Sequence, residues 1–415
     1  MNTYFERYAY PEILFTDEPD QSLSISVVIP CFNEPDITPT LNSLNNCTSV
    51  PGVEVIIIVN EPDNCNEEIR KQNLVTIQEI EKWRAQTDTN FKLLVHHLVA
   101  RKKDAGVGLA RKVGMDEAAR RFETVKNPKG VICCFDADAT CEPNYLVSIQ
   151  HHFVMPAKRP HGASIYYEHD IDDEIPLMSN GIIQYELHLR YYSHALAYTG
   201  FPYPFQTVGS SMVVRSDIYQ KIGGMNKRKA GEDFYFLHRV MPTGNYINIK
   251  DTVIYPSARI SDRVPFGTGK AMQKWQEENP EEYYTYNLHS FTDLKQLFSK
   301  RNDFFSSTKE TTDALISSMP ESIQSFLQDE AFESIIVRLK KQSTNLVNFE
   351  KNWFHFFDGF KVLKFLHFAR DHYHPNKPVK EEAGELVSPT NMEAKATKES
   401  ARDWLLFYRE QDSQG

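Results

Sequence analysis

Cysteine is scarce and confined. All six residues (Cys31, Cys47, Cys65, Cys133, Cys134 and Cys141) lie in about the first third of a 415-residue chain. No C-x-x-C spacing occurs among them, which excludes the usual zinc and dithiol redox patterns. Cys133 and Cys134 sit inside an apolar run, where cysteine behaves as a small buried hydrophobe. Reduced thiols and a cytoplasmic setting are expected. A basic excess is missing as well: 46 Lys and Arg stand against 56 Asp and Glu, a formal net charge of -10. Such a chain lacks the electrostatic footprint of a nucleic-acid binder. Long apolar stretches are also wanting, and none approaches the ~20 residues that span a bilayer. The opening stretch "MNTYFERYAYPEILF" has neither the charged start nor the apolar core of a signal peptide.

What is present is a globular composition, with 41% hydrophobic and 25% charged residues, in a chain long enough for two domains. Three segments share one character: "ISVVIPCF" (25–32), "VEVIIIVN" (53–60) and "GVICCFDAD" (130–138). Each is a nearly continuous apolar run ending in polar residues, the pattern of strands buried on both faces of a parallel sheet. "FKLLVHHLV" (91–99) reads as a further strand, and helix-compatible stretches at 37–46, 66–84 and 108–121 lie between them. Strands alternating with helices predict an α/β fold. Ligands of such sheets bind beyond the carboxyl ends of the strands. Those ends carry Asn33-Glu34, Asn60-Glu61 and Asp136-Ala137-Asp138, so amides and carboxylates are expected to collect on one edge.

Two carboxylates one residue apart disfavour each other's ionisation unless a cation lies beside them. In an extended strand Asp136 and Asp138 would face the same way, with Ala137 pointing aside. A hard divalent ion, Mn²⁺ or Mg²⁺, accepts such oxygens and keeps positions for phosphate. A bound ion would also make a diphosphate a better leaving group. "FDADAT" equally fits the D-x-D-x-T pattern of Mg²⁺-assisted phosphatases, in which the first aspartate is the nucleophile. That pattern normally ends the first strand of its domain, and here three strands precede it.

"GSSMVVRSDIYQKIGGMNKRKAGEDFYFLHRV" (209–240) reads as a strand, a short helix, a Gly223-Gly224 turn and a helix opening at Glu232-Asp233. Acids at a helix start are favoured by the macrodipole alone. A general base taking a proton from a hydroxyl is the functional alternative.

The ordered set "CFNE", "VNEPDN", "GLARKVGMDEA", "FDADA", "IGG" and "GEDF" resembles family 2 glycosyltransferases of the GT-A fold over about residues 24–255. The resemblance implies a mixed, mainly parallel sheet flanked by helices; from residue 281 onward strand patterns give way to helix-like segments, which adds a mostly helical C-terminal extension. It implies that Pro30, Asn33 and Glu34 line a nucleotide pocket and that Asn60 and Glu61 sit near the base or ribose. Most relatives carry an aspartate at one of these last two positions. Arg111 would contact the diphosphate, Asp136 with Ala137 would face the ribose, and Asp138 would hold the metal with Asp136. Asp233 would be the base and Glu232 its neighbour on the acceptor side. Arg259, Arg263 and Lys270 in "SARISDRVPFGTGKAM" (257–272) would form a diphosphate loop; a basic surface loop is the plain alternative.

The implied activity is metal-dependent transfer of one sugar from a nucleoside-diphosphate sugar to an acceptor hydroxyl, with inversion. The acceptor would be a sugar or a lipid-linked sugar. A Mg²⁺-dependent phosphoryl transferase and a non-catalytic nucleotide-sugar-binding protein are the alternatives. No Q-x-x-R-W signature of processive synthases occurs. The expected organisation is an N-terminal segment (1–23), a catalytic domain (24–275, nucleotide half 24–140 and acceptor half 141–275), a helical region (276–375), a flexible linker (376–399) and a terminal helix (400–415). The tyrosine-rich stretch 185–205 is read as core or as an acceptor pocket. The aromatic stretch 352–370 is read as packing against the catalytic domain or a second subunit, with peripheral membrane contact and homo-oligomers left open.

Overall fold

The computed structural model describes the chain except residues 1, 172–174, 230, 262–266, 279, 388–397 and 415. Eight strands form one sheet: β1 (Ile25–Cys31), β2 (Val53–Pro62), β3 (Lys92–Ala100), β4 (Val131–Cys134), β5 (Thr140–Cys141), β6 (Gly162–Tyr167), β7 (Met212–Arg215) and β8 (Tyr246–Tyr255). Their order is β3-β2-β1-β4-β7-β6-β8-β5. β3, β2, β1 and β4 pair in parallel. β7 runs antiparallel to both β4 and β6, and β8 pairs parallel to β6. The fold is therefore α/β, with a mixed and mainly parallel sheet flanked by helices, as the alternation of runs predicts. Every residue of β1 is buried, which explains why its sequence shows no polar face.

The chain divides into two units. The first comprises residues 1–182, 207–279 and 411–415 and contains the eight-stranded sheet. Its central helix, Val107–Thr124, is buried nearly all round although it carries Arg111, Lys112, Asp116, Glu117 and Arg121. Buried charges need partners, and the N-terminal segment supplies several. Asp116 accepts from Tyr4 Oη at 2.5 Å, Tyr219 Oη at 2.6 Å and the Tyr10 amide at 2.7 Å. Arg121 pairs with Glu54 through two bonds of 2.7 Å. The first residues of the chain thus complete the core helix.

The second unit comprises residues 183–206 and 280–410 and is largely helical. Within the region expected to be helical, Glu321–Asp329 and Phe332–Lys341 are separate helices, divided by Ala331 at φ 53°. The aromatic stretch 352–370 also splits, because Asp358 caps a new helix by accepting the Lys361 amide at 2.8 Å. Trp353, Phe357 and Phe365 are buried within this unit, and Trp353 stacks on Phe304. Those rings are interior, so a membrane contact made through them has no surface to use. Of the tyrosine-rich stretch, Tyr191 is buried and donates to Tyr286 O at 2.9 Å, as the core reading predicts. The segment expected as a linker carries the helix Val379–Val387. Its stripe Val379, Ala383, Val387 has i, i+4, i+8 spacing and is buried, a signal outweighed in the sequence by the surrounding Lys and Glu. Among the described residues, no helix is long and apolar enough to cross a membrane.

Candidate active site

The candidate site belongs wholly to the first unit. The registers Cys31↔Val59 and Val28↔Cys134 bring the carboxyl ends of β1, β2 and β4 to one edge. After β1 the backbone turns sharply at Asn33, whose φ is 48°, a left-handed conformation that asparagine tolerates better than most residues. Asn73 Oδ1 holds it by accepting the Asn33 amide at 2.8 Å. The turn directs Glu34 inward, where its side chain is fully buried. Glu34 accepts both the Asp36 amide and the Arg259 guanidinium.

Asp136, Ala137 and Asp138 depart from the expected extended strand. β4 ends at Cys134, and the motif forms a turn in which the Ala139 amide donates to Asp136 O at 3.2 Å. Thr40 Oγ1 braces it from 2.9 and 2.8 Å off the carbonyls of Ala137 and Ala139. A turn serves presentation better than a strand here, because it lifts both carboxylates off the sheet edge. Their side chains are 34% and 24% exposed, whereas that of Arg111 is 4% exposed.

Arg111 is the hub. Its guanidinium donates to both Asp136 and Glu232. Burial works against this cation, but Asp136 and Glu232 more than offset it and keep it protonated. The close fit depends on Gly209, since a Cβ there would lie 2.5 to 2.8 Å from the guanidinium atoms. Gly231, in the left-handed region at φ 65°, starts the helix Glu232–Val240. At the head of that helix the Asp233 carboxyl is pushed up to about 7, by burial first and by Glu232 next, with Arg111 opposing. Arg111 therefore joins an acid of the turn after β4 to an acid at the head of the helix Glu232–Val240.

A second arginine closes the outer rim. Arg259 pairs with buried Glu34 and lies 2.8 Å from Asp138. Burial disfavours its cation too, and the two carboxylates again outweigh that effect.

The remaining sequence candidates are spread unequally. Pro30 is buried within β1 opposite Ile58. Asn60 and Glu61 fall inside β2 rather than after it. Glu61 is bound by Arg70 and Asn73, each at 3.1 Å, with His97 at 3.4 Å. Despite burial, these partners draw its carboxyl below the usual range. Ala137 is 5% exposed. Lys270 bonds Gln273 Oε1 at 3.0 Å within the helix Thr268–Glu278. Arg263 lies outside the described residues.

Asn73 and Gly209 escaped the sequence reading, one as a polar position on a helix and one as a glycine before a strand. Ser210 and Ser211 follow Gly209 with buried hydroxyls that have no partner among the described residues. A G-S-S run before a strand is a usable signal for a close approach.

Asp136 and Asp138 offer only carboxylate oxygens, the donor type that suits Mg²⁺ or Mn²⁺ better than a thiophilic ion. Among the described residues no third His, Cys, Asp or Glu joins them within one ion's reach.

Residues 26–222 match the family model described as "Glycosyl transferase family 2". No curated protein matches the chain. Among solved structures, similarity extends to TarS 1–349 of S. aureus in complex with UDP-GlcNAc, at 15% identity, 94% coverage of this chain, 91% of that one and a TM-score of 0.37. The mannosyltransferase PcManGT from Pyrobaculum calidifontis, in complex with GDP-Man and Mn²⁺, is similar at 11% identity, 96% and 90% coverage and a TM-score of 0.37. Glucosyl-3-phosphoglycerate synthase from Mycobacterium tuberculosis, in complex with Mn²⁺, UDP and phosphoglyceric acid, is similar at 14% identity, 55% and 69% coverage and a TM-score of 0.32.

Proposed function

We propose that the chain, whose residues 26–222 match the model of glycosyl transferase family 2, moves one sugar from a nucleoside-diphosphate sugar to an acceptor hydroxyl, with inversion. The observation that carries this reading is the juxtaposition of Asp136 and Glu232 on Arg111. It sets the acid turn after β4 beside the acid pair that opens the helix at 232. Asp233 takes the proton of the acceptor hydroxyl. As it does so, the acceptor oxygen bonds to the anomeric carbon, and the bond from that carbon to the diphosphate oxygen breaks with its electrons. A single displacement of this kind inverts the centre. A carboxyl drawn up to about 7 suits the role, since a base works best when its pKa lies near the operating pH.

Asp138, with Asp136, would hold Mn²⁺ or Mg²⁺. When bound, the ion supplies charge neutralisation for the departing diphosphate. Arg111 is a positioning residue in this scheme, because its side chain is 4% exposed and engaged by two carboxylates. Glu34, Asn33 and Arg259 would flank the nucleotide and its phosphates. The phosphatase alternative loses its footing: Asp136, which would be its nucleophile, is bound by Arg111, and the family match names a different transfer.

The test is thermal stability with UDP, GDP and their sugars, with and without Mn²⁺, on wild type and Asp138→Ala. A metal-dependent rise for one nucleotide, lost in the variant, is expected. No rise with any nucleotide would sink the reading. Donor-dependent release of nucleoside diphosphate that disappears in Asp233→Asn separates an enzyme from a binding protein.

A further inference from the structure

A second cluster of ligating side chains lies in the first unit but apart from the residues assigned above. His151, His152 and Asp251 each offer one ligand atom, and the three atoms lie within 4.8 Å of one another. The two histidines are adjacent in sequence, and their ring centroids lie 5.5 Å apart. Here they fall in a π-helical turn, Gln150–Val154, closed by the Met155 amide on Gln150 O at 3.0 Å. Such turns are rare and occur mostly where a helix serves a function. Asp251 stands on β8, and its Oδ1 is oriented by Ser148 Oγ at 2.7 Å and lies 3.1 Å from His152 Nε2. That arrangement is a carboxylate with a hydroxyl behind it, as metal-bound carboxylates usually have.

We propose that His151, His152 and Asp251 bind a divalent transition-metal ion of the zinc class, separate from the ion expected at Asp138. Two imidazoles and one carboxylate are the donor mixture that Zn²⁺ accepts, with water as a fourth ligand. Bonds of about 2.0 to 2.1 Å in a tetrahedron place neighbouring ligand atoms ~3.3 Å apart. The His152–Asp251 edge, at 3.1 Å, is already close to this. The exposed His151 completes the set by a side-chain rotation. Asp251 also lines a cleft of about 410 Å³ with Glu142, Asn144, Lys250 and Thr252, and His151 is itself exposed, so an ion reaches the cluster from solvent.

The position suggests what the ion does. β8 pairs with β5, which begins two residues after Asp138, and the chain beyond β8 leads to Arg259. An ion tying residues 151 and 152 to β8 therefore braces the strands that carry both rim residues. Its role is structural, so its signature is stability and a metal spectrum rather than turnover.

The experiment uses the full chain, stripped with chelator and titrated with Co²⁺ as a spectroscopic probe, followed by melting with Zn²⁺. In Asp138→Ala, one equivalent of Co²⁺ with the intense visible bands of a tetrahedral site is expected, together with a Zn²⁺-dependent rise in melting temperature. Both should vanish when His151→Ala and His152→Ala are added. Asp251→Asn, which keeps a partner for Ser148, should weaken Co²⁺ binding at least tenfold. Unchanged Co²⁺ bands in the histidine variant, or no tetrahedral bands in Asp138→Ala, would overturn the proposal.

Discussion

The site contains two arginines that each bridge two carboxylates and differ in physical setting. Arg111, at the inner end, joins Asp136 to Glu232 with a side chain only 4% exposed. Arg259, at the rim, joins Glu34 to Asp138 with a side chain 32% exposed. Arg111 projects from a helix buried nearly all round, whereas Arg259 follows β8 in a segment without regular structure. A cation sealed between two acids cannot leave without stranding both charges. A cation at the rim can exchange its partners for water, phosphate or a metal ion at small cost. The inner arginine is thus suited to fixing geometry, and the outer one to giving way when the donor arrives.

The largest effect should come from breaking the inner bridge. Arg111→Met leaves buried Glu232 and part-exposed Asp136 without their cation, and removing one partner of a buried pair costs about 3–5 kcal/mol. Urea unfolding should register that loss, with turnover falling in parallel. A change below ~1 kcal/mol would place Arg111 with surface pairs and erase the contrast with Arg259.

Asp233→Asn probes the acid that the inner bridge sets beside Glu232. Turnover should drop by about 10²–10⁴, the usual worth of a general base. Stability should move the other way. The folded carboxyl, at about 7, lies above its unfolded value, so the native state holds a proton that the unfolded state has lost. That acid therefore subtracts stability as pH rises from about 4 to about 7. Melting at pH 8 should show the asparagine variant as stable as wild type or more so. A destabilised variant with intact turnover would remove Asp233 from the chemistry.

Sharpening the comparison from the other side, Arg259→Ala should destabilise less than Arg111→Met, because water can enter at the 32% exposed rim and resolvate Glu34. Its effect should fall on the ion proposed at Asp138, with which Arg259 would compete. Half-saturation by Mn²⁺ without nucleotide should fall on the order of fivefold, equivalent to the ~1 kcal/mol upper range of a part-exposed pair. With donor present the gain should shrink, because Arg259 would then face the diphosphate. Calorimetric titration with and without UDP reads both values.

The difference between these arginines was only partly legible in the sequence. Apolar runs at 25–32, 53–60 and 130–138 announced three parallel strands and the edge on which they end, although β4 itself stops at Cys134. Spacing marked Asp136, Asp138, Glu232 and Asp233 as the acids of interest, because acids at strand ends and helix starts are local features. What joins them is not local. Arg111 and Glu232 are 121 positions apart, and Arg259 and Glu34 are 225 apart, so no window on the chain displays either pair. The sequence reading consequently sent Arg111 toward a diphosphate, whereas the fold surrounds it with carboxylates. Tyr4 was opaque for the same reason, since its partner Asp116 lies 112 residues away. The helix Val379–Val387 was missed differently: its apolar stripe is short, and the neighbouring charges mimic a linker.

The smallest predicted effect concerns how the inner bridge sets the working pH. Asp233 titrates high because burial and then Glu232 disfavour its ionised form, while Arg111 opposes them. Glu232→Gln removes the like charge and releases Arg111 from one of its two acids, so both consequences lower the Asp233 carboxyl. The acid limb of kcat/KM, which reports the base in the free enzyme, should fall near pH 7 in wild type and shift to lower pH in the variant. The neutral amide can still accept from Arg111, so the guanidinium stays in place and the plateau should lose less than in Asp233→Asn. A limb that stays near 7 in Glu232→Gln would mean that burial alone sets the titration. Arg111 and Glu232 would then fix where Asp233 sits without deciding when it carries charge.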